Sequence, residues 1–354
     1  MRRRAAGLDG ASVEVRTATD LVAALEGADV VLNAVRIGGL GARVFDESFP
    51  QRHGCPGEET MGPGGLANAL RTVPVVRRYW ETVREVAPDA LHINLTNPSG
   101  IVVAALQATY GAPVFSVCDS PVVFCDAIAE RLGVPAVEVR LRYQGMNHMG
   151  CWTPSGDEAL EATLDLVTGQ DEDAVRMQGA VGAPYVRYYL NPDRILATQQ
   201  AASETRAQQL QRLEVELLQG YADGQADMPR RGAVWYGKAV LPLVDAWSNG
   251  SDDVLLLGMR NDGRIPGLPD AVITEGPVRF PEPRRPEAVP VPALPPLPAQ
   301  LLTQHAAYEA MAAAATGPDA SHEDRLRAML ANPMVSSYDQ AVALVDEVET
   351  GSPA

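Results

Sequence analysis

Apolar runs that alternate with helix-forming stretches dominate the first 135 residues and constrain the fold most strongly. The runs ADVVLNAVRI (28–37), DALHINLTN (89–97) and VFSVCDSP (114–121) are each followed by a stretch that favours a helix. Strands separated by helices in this way indicate βαβ units and a parallel sheet. The sequence therefore predicts an α/β fold in which several strand ends meet at one edge of the sheet.

The pattern changes after residue 150. Residues 157–222 are mostly helix-forming, and strand signals return at 254–261 and 271–280. Nine prolines between 277 and 299 are too many for a helix or a central strand, so they predict an extended, ordered arm. Three helical segments are predicted over 300–350.

These patterns predict two domains. Residues 1–135 form the parallel α/β part, and residues 136–354 form a C-terminal α+β domain that carries the arm and the last helices.

Charge and composition exclude several functions. The net charge is −16, which argues against binding to nucleic acid or to an anionic membrane surface. No run of about 18 apolar residues occurs, so no membrane span is predicted. The basic N-terminus lacks a following apolar segment, and the four cysteines are too few for a disulfide framework. We expect a cytoplasmic protein.

Cys118 and His148 are the strongest candidates for chemistry, because each follows an apolar run. Ligands bind at the carboxyl ends of strands in open α/β sheets. A thiolate and an imidazole at such an edge would hold a divalent metal and leave positions open for substrate. The alternative is that Cys118 is simply a small buried hydrophobe.

Other polar residues follow the predicted strands. Asn97 offers an amide at a helix start, where it either meets a ligand or only caps the helix. Asp119 is either a general acid or base, or a carboxylate stabilised by the helix dipole. Arg36 either contacts an anion or is solvated. Asn147, beside His148, could hold sugar hydroxyls.

Tyr236 begins a predicted helix in GAVWYGKAVLPLVDA (232–246). A phenol is a poor base at its usual pKa near 10, but a nearby cation lowers that pKa enough for proton abstraction. The alternative is a tyrosine that packs in an amphipathic core.

These segments together resemble glycoside hydrolase family 4, in register over nearly the whole chain. The most specific stretches are GEETMGPGG (57–65), TNPSG (96–100), VCDSP (117–121), GMNHMGCW (145–152) and MRNDGRIPGLPD (259–270). The resemblance implies a Rossmann-like sheet of the lactate/malate dehydrogenase type, here truncated, followed by a substrate domain. It also implies NAD and Mn²⁺, or another divalent metal, as cofactors.

The chemistry that the resemblance implies is an oxidation at sugar carbon 3 by NAD⁺, proton removal at carbon 2, elimination of the leaving group, addition of water, and return of the hydride to carbon 3. The roles it implies are metal binding by Cys118 and His148; catalysis by Asp119 and Tyr236; substrate binding by Asn97, Asn147, Arg36 and Asn261; and cofactor contacts by Asn33, Arg36 and Glu59.

The resemblance implies that the substrate is a small glycoside, and 6-phospho-β-glucosides are the leading candidates. Other members of the family act on α-galactosides, α-glucosides and glucuronides. A phosphate would need Arg36, Arg43 or Arg264 nearby. Two other functions stay open, a simple dehydrogenase and a non-catalytic remnant that binds sugar or metal. Family analogy also implies a homo-oligomer, a dimer or a tetramer, with 66–88 and 205–221 as interface helices.

One feature departs from the family pattern. No G-x-G-x-x-G turn follows a strand near the N-terminus, since GLGAR (39–43) and GPGG (62–65) lie in other contexts. We therefore expect this chain to bind NAD⁺ weakly and to fold marginally.

Overall fold

The computed structural model describes residues 14, 16–111, 113–167, 169–224 and 236–352. Strands and helices alternate through the first part, as predicted. The strands are β1 (Val30–Asn33), β2 (Leu91–Asn94), β3 (Phe115–Ser116), β4 (Tyr143–Met146), β5 (Met149–Trp152), β6 (Val181–Gly182), β7 (Ser251–Arg260), β8 (Ile273–Glu282) and β9 (Arg285–Ala288).

Helices fill the intervals between these strands. They are α1 (Leu21–Leu25), α2 (Gly39–Arg52), α3 (Pro63–Val86), α4 (Ser99–Tyr110), α5 (Ser120–Leu132), α6 (Ala136–Arg140), α7 (Asp157–Glu161), α8 (Glu172–Gln178), α9 (Arg187–Leu190), α10 (Pro192–Ala201), α11 (Arg206–Ala222), α12 (Leu241–Asn249), α13 (Pro296–Ala315), α14 (His322–Ala331) and α15 (Tyr338–Gly351). A 3₁₀ turn covers Leu164–Leu166 and a π-helical turn covers Tyr236–Val240.

The described strands form one mixed sheet in the order β1–β2–β3–β7–β8–β4–β5–β6, and β9 pairs with β8. β1, β2 and β3 are parallel, with Asn33 level with Asn94 and Asn94 level with Ser116. Helices connect these three strands, as parallel pairing requires. The predicted Rossmann-like parallel sheet, continued by an α+β part, is confirmed.

β3 and β7 connect the parallel strands to the rest of the sheet. Ser116 pairs with Gly258 in antiparallel fashion, and β7 then forms a long antiparallel ladder with β8. The strands of the first 135 residues and those that follow therefore share one sheet.

The two faces of the sheet carry separate cores, which follows from the two-residue period of strands. On β2, Leu91 and Ile93 pack into a core with residues of α5 and α12. His92, on the other face, meets Trp80 of α3 edge-on, with ring centroids 4.7 Å apart. The core on that face also contains residues of α4, α13, α14 and α15.

The glycine-rich stretch after β1 forms a helix start, because Gly38 adopts a left-handed φ of 75° and α2 begins at the next residue. The arm prediction is wrong for residues 277–288, which complete β8 and form β9. Pro277 is tolerated inside β8 because its carbonyl still accepts a hydrogen bond from the Val289 N–H.

The three C-terminal helices are confirmed as α13, α14 and α15. The apolar alternation of SVEVR (12–16) also predicts a strand, which lies almost entirely outside the described residues. Among the helices that the structure describes, none combines the length and the apolar character needed to cross a membrane.

Candidate active site

A chain of hydrogen bonds crosses the carboxyl ends of β1, β2 and β3. Asn33 Nδ2 donates to Asn94 Oδ1 at 2.7 Å, and Asn94 Nδ2 donates to Ser99 Oγ at 2.8 Å. Ser99 Oγ in turn lies 2.7 Å from Ser116 Oγ. All four residues are buried, so these bonds satisfy groups that would be costly to leave unpaired. They hold the three strand ends in one arrangement.

Glu59 is the centre of an ion cluster beside this edge. Arg36 makes a bidentate contact with its carboxylate, and Arg43 Nη1 lies 2.9 Å from Oε1. Burial alone would raise the pKa of Glu59, but Arg36 and Arg43 together hold it below the ordinary value. The predicted residues Arg36 and Glu59 are therefore directly paired, and Arg43 joins them.

His148 lies at the tip of the β4–β5 hairpin, which Met146 and Met149 close by pairing. Its φ of 64° is left-handed, an uncommon conformation for a residue with a side chain. Its ring stacks on Tyr185, with centroids 3.8 Å apart and planes 2° apart. Burial lowers the pKa of His148 to about 4, although the negative charge of Glu59 acts in the opposite direction. The imidazole is therefore neutral at pH 7, the form that binds metals.

Cys118 follows β3 and precedes α5. Burial, reinforced by the charge of Glu275, raises the pKa of its thiol to about 12. Its Sγ lies 3.9 Å from Asp119 Oδ1. Cys118 also lies close enough to Tyr185 for the thiolate charge to raise the pKa of that phenol. Tyr185 thus contacts His148 and lies within electrostatic range of Cys118.

The polar groups around this cluster suit a bound cation. Nδ1 of His148 is buried and has no hydrogen-bond partner among the described residues, and the buried Asn147 amide interacts with the Glu275 carboxyl. Orphaned buried polar atoms are costly unless a ligand or ion satisfies them. No set of three or more His, Cys, Asp or Glu side chains in the described chain could hold a metal together. Cys118 and His148 would therefore act with an amide oxygen and with substrate or water oxygens.

Asn97 is not the cap of α4. α4 begins at Ser99, its N-cap is Pro98, and no side chain caps it. The carbonyl of Asn97 accepts a hydrogen bond from Asn68 Nδ2 at 3.2 Å, and the same amide donates to the Glu59 carbonyl at 3.1 Å. Asn68 thereby holds the Asn97 segment against the Glu59 segment. Asp119 is the N-cap of α5, again without a side-chain cap bond.

Tyr236 opens the π-helical turn Tyr236–Val240 and is 38% exposed. In the same turn, Lys238 Nζ lies 2.7 Å from Asp126 Oδ2. Asp126 belongs to α5, the helix that begins beside Cys118 and Asp119. This ion pair holds the turn of Tyr236 against that helix.

The structure does not bring Asn261 to the cluster. β7 runs antiparallel to β3, so its last residues lie beside the beginning of β3, away from Cys118. The Asn261 amide donates to the carbonyls of Ile265 and Leu268 and accepts from the Ile265 N–H. Its side chain is therefore committed to holding the following loop together.

Two residues near the cluster were not singled out from the sequence. Tyr185 comes from the segment before α9, and no local pattern connects it with His148. Glu275 is a buried carboxylate in the middle of β8, where it accepts a hydrogen bond from the Tyr143 hydroxyl at 2.9 Å. Burial raises the pKa of Glu275 to about 7. Its signal in the sequence was a carboxylate within the otherwise apolar run AVITEGPV (271–278).

Family models match most of the chain. The model described as family 4 glycosyl hydrolase matches residues 1–134, and the model of the C-terminal domain of that family matches residues 143–335. A probable 6-phospho-beta-glucosidase of Bacillus subtilis is 29% identical over 96% of this chain and 82% of the relative. A 6-phospho-beta-glucosidase of Thermotoga maritima is 30% identical over 71% of this chain and 64% of the relative.

Solved structures agree with these matches. The Thermotoga maritima 6-phospho-beta glucosidase with manganese, NAD⁺ and glucose-6-phosphate has a TM-score of 0.82 and 26% identity, over 94% of this chain and 82% of that one. A 6-phospho-alpha-glucosidase from gut microorganisms, in complex with NAD and glucose-6-phosphate, has a TM-score of 0.81 and 25% identity over the same shares.

Proposed function

Because the chain belongs to family 4 of the glycosyl hydrolases, we propose that it hydrolyses 6-phospho-β-glucosides with NAD⁺ and a divalent metal, preferably Mn²⁺. The relative in Bacillus subtilis and the Thermotoga maritima structure support this substrate and these cofactors. The single observation that carries the proposal is the position of Tyr185, which touches His148 and lies beside Cys118.

Cys118 and His148 would hold the metal, and Asn147 would complete the site or hold a sugar hydroxyl. The thiol pKa of about 12 describes the protein without a cation. Cys118 would lose its proton on holding a divalent ion, because the ion would stabilise the thiolate, whereas the imidazole of His148 is already neutral because it is buried.

When bound, the nicotinamide supplies a hydride acceptor for sugar carbon 3 and the metal supplies positive charge that acidifies the proton at carbon 2. Tyr236 would take that proton as its phenolate. Asp119, next to Cys118, would donate a proton to the departing oxygen. Asn97 would hold a sugar hydroxyl, because its side-chain amide is not used for capping.

Asn33, Arg36 and Glu59 would contact the cofactor side of the site. The Asn33 amide already donates to Asn94, and Glu59 already pairs with Arg36. These groups would therefore present a fixed polar wall with little rearrangement on binding. Arg36 and Arg43 would donate to a phosphate from the cluster in which both already pair with Glu59 and Arg43 also pairs with Glu47.

α-Glycosides are the second candidate substrates. The gut 6-phospho-alpha-glucosidase structure matches nearly as well as the β-specific one, which supports this alternative. Proton removal at carbon 2 does not depend on the anomeric configuration, so the residues above could serve either anomer.

We also propose that residues 1–135 and 136–354 are two domains and that the protein is a homo-oligomer. α3 is largely buried within the chain, whereas α11 exposes Val215, Leu218 and Tyr221. These three side chains favour α11 as the contact surface. Light scattering at several concentrations would measure the number of subunits.

An activity assay with matched substrates tests the proposal. The protein would be incubated with NAD⁺, Mn²⁺ and a reductant, and given p-nitrophenyl β-glucoside, its 6-phosphate, and the two α anomers. We expect release of p-nitrophenol from the β 6-phosphate and little from the unphosphorylated sugar. Cys118→Ala should abolish turnover, whereas Cys151→Ala, a buried cysteine on β5, should retain it. Equal turnover by Cys118→Ala would contradict the proposed metal role.

A further inference from the structure

A cavity of about 540 Å³ lies between α4 and α13. None of the residues that line it has a role in the hydrolysis proposed above. Its walls consist mostly of small apolar side chains, among them Ala104 and Ala108 of α4 and Ala310 and Ala314 of α13. The volume lies within the usual range for sites that bind small molecules.

Glu309 of α13 is the buried charged residue of this cavity. Its side chain lines the cavity although the residue is only 2% exposed, and its Oε2 has no hydrogen-bond partner among the described residues. Gly100 of α4 makes room for the carboxyl group, since a Cβ at that position would lie 2.3 Å from Oε2. A buried carboxylate oxygen without a donor is costly. The cavity is the space from which a donor can reach this oxygen.

His305, one helical turn before Glu309, does not supply that donor. Its Nε2 lies 3.3 Å from Glu309 Oε1 and makes no hydrogen bond within the described chain. The Tyr189 hydroxyl donates to the Met61 carbonyl at 3.1 Å, so it accepts from His305 Nδ1, which is 2.9 Å away. A neutral imidazole with its hydrogen on Nδ1 has none on Nε2. Tyr189 therefore fixes the ring with an acceptor, not a donor, toward Glu309.

The two kinds of surface in this cavity define the ligand. A primary ammonium group offers three donors and a positive charge, which suit the carboxylate of Glu309 and the acceptor nitrogen of His305. The alanine walls favour an apolar body. Arg77 and Glu81 also line the cavity, but they are more exposed and opposite in charge, so they require no second charge on the ligand. The net charge of −16 favours the approach of a cation.

We propose that this cavity binds a small primary amine with an apolar body and that Glu309 holds the ammonium group. The body lies along the alanines of α4 and α13. This site is separate from the proposed hydrolysis, because no step of that reaction uses the cavity. Binding alone therefore tests the inference, whether or not the protein hydrolyses a glycoside.

Titration calorimetry of the full chain at pH 7 compares four probes. Phenethylamine carries an ammonium group and an apolar body, 2-phenylethanol keeps the body without the charge, 3-phenylpropionate reverses the charge, and ammonium chloride has no body. We expect phenethylamine to bind about tenfold more tightly than 2-phenylethanol, the scale of one hydrogen bond to a charged group. The other two probes should bind more weakly than phenethylamine by at least the same factor.

Glu309→Gln keeps the size of the side chain and removes its charge, so the preference for the amine over the alcohol should disappear. Both probes are measured on one preparation, which makes this preference insensitive to a loss of folded protein. Glu81→Gln is the matched control, because it removes a more exposed carboxylate of the same cavity and should keep the preference.

Three results would each overturn the inference. The first is a wild-type protein that does not bind phenethylamine saturably. The second is ammonium chloride that binds as tightly as phenethylamine, since the alanine walls would then contribute nothing. The third is an unchanged preference for the amine in Glu309→Gln, since the ammonium group would then lie elsewhere.

Discussion

The imidazole of His148 lies flat against the phenol ring of Tyr185, with the ring centroids 3.8 Å apart. Metal-binding histidines usually gain their orientation from a hydrogen bond at the second ring nitrogen. Among the described residues, neither ring nitrogen of His148 makes such a hydrogen bond. Packing against Tyr185 therefore takes the place of the usual hydrogen bond in fixing the ring.

Removal of this contact should weaken metal binding. Tyr185→Leu should lower the affinity for Mn²⁺ about tenfold, the scale on which groups that orient metal ligands act. Tyr185→Phe keeps the ring and should bind Mn²⁺ as the wild type does. Titration calorimetry, or the loss of the free Mn²⁺ signal in electron paramagnetic resonance, measures the affinity. Tyr79→Leu, an exposed tyrosine of α3, is the control. Equal affinities for the Leu and Phe variants would show that the stacking does not orient His148.

Glu275 should make stability depend on pH. Burial raises its pKa to about 7 from an ordinary value of 4.5, so the folded state holds this proton more tightly than the unfolded state does. The contribution of this group to stability is therefore full below about pH 4.5 and is lost as the pH rises through 7. Glu275→Gln removes the cost of burying the charge and can still accept the Tyr143 hydrogen bond.

The variant should be more stable than the wild type at pH 8 by on the order of 2 kcal/mol, and about equal to it at pH 4.5. Urea unfolding at both pH values measures the difference. Glu282→Gln, at the exposed end of the same strand, should show no such pH dependence. A difference in stability that is the same at both pH values would mean that Glu275 titrates normally.

Gly64 is required by close packing at the segment that carries Glu58 and Glu59. A Cβ added there would lie 2.2 Å from the Asp46 carbonyl oxygen and 2.4 Å from that of Glu58, both of which are backbone atoms. Gly64→Ala should cost about 1–3 kcal/mol in the free energy of unfolding. Gly41→Ala, in α2, meets nothing within 4 Å and should stabilise the protein by about 0.5–1 kcal/mol. Urea unfolding of the two variants measures both changes. Equal changes in the free energy of unfolding for Gly64→Ala and Gly41→Ala would contradict this expectation.

The sequence predicted the parallel strands and the residues that follow them, because both depend on local patterns. Asn33, Cys118 and Asp119 lie at strand ends, and the pairing of β1, β2 and β3 brings those ends together. Glu59 and Arg36 were assigned through the family resemblance, and they are paired in the structure.

Other features depend on contacts between distant segments, which no local pattern reveals. The placement of Tyr185 on His148 requires the β4–β5 hairpin and the segment before α9 to meet. Asn261 follows an apolar strand in the same way as Asn33 does, but its strand is antiparallel and ends at the opposite side. The prolines of 277–288 suggested an arm because sequence does not show that Pro277 can keep one of its ladder bonds in β8.

Cofactor binding should be visible in thermal unfolding, because a ligand that binds only the folded state raises the midpoint. We expect Mn²⁺ to stabilise the wild type under reducing conditions and to have little effect on Cys118→Ala. No shift with Mn²⁺ would argue against the Cys118–His148 site.

The most direct measurement is the fate of hydrogen at sugar carbon 2 during hydrolysis. The protein would be incubated in D₂O with NAD⁺, Mn²⁺ and a 6-phospho-β-glucoside, and the glucose 6-phosphate produced would be examined by NMR or mass spectrometry. Oxidation, elimination and addition exchange this hydrogen with solvent, so the product should carry deuterium at carbon 2. Product released with its original hydrogen at carbon 2 would contradict the proposed chemistry, because direct displacement at carbon 1 leaves that bond intact.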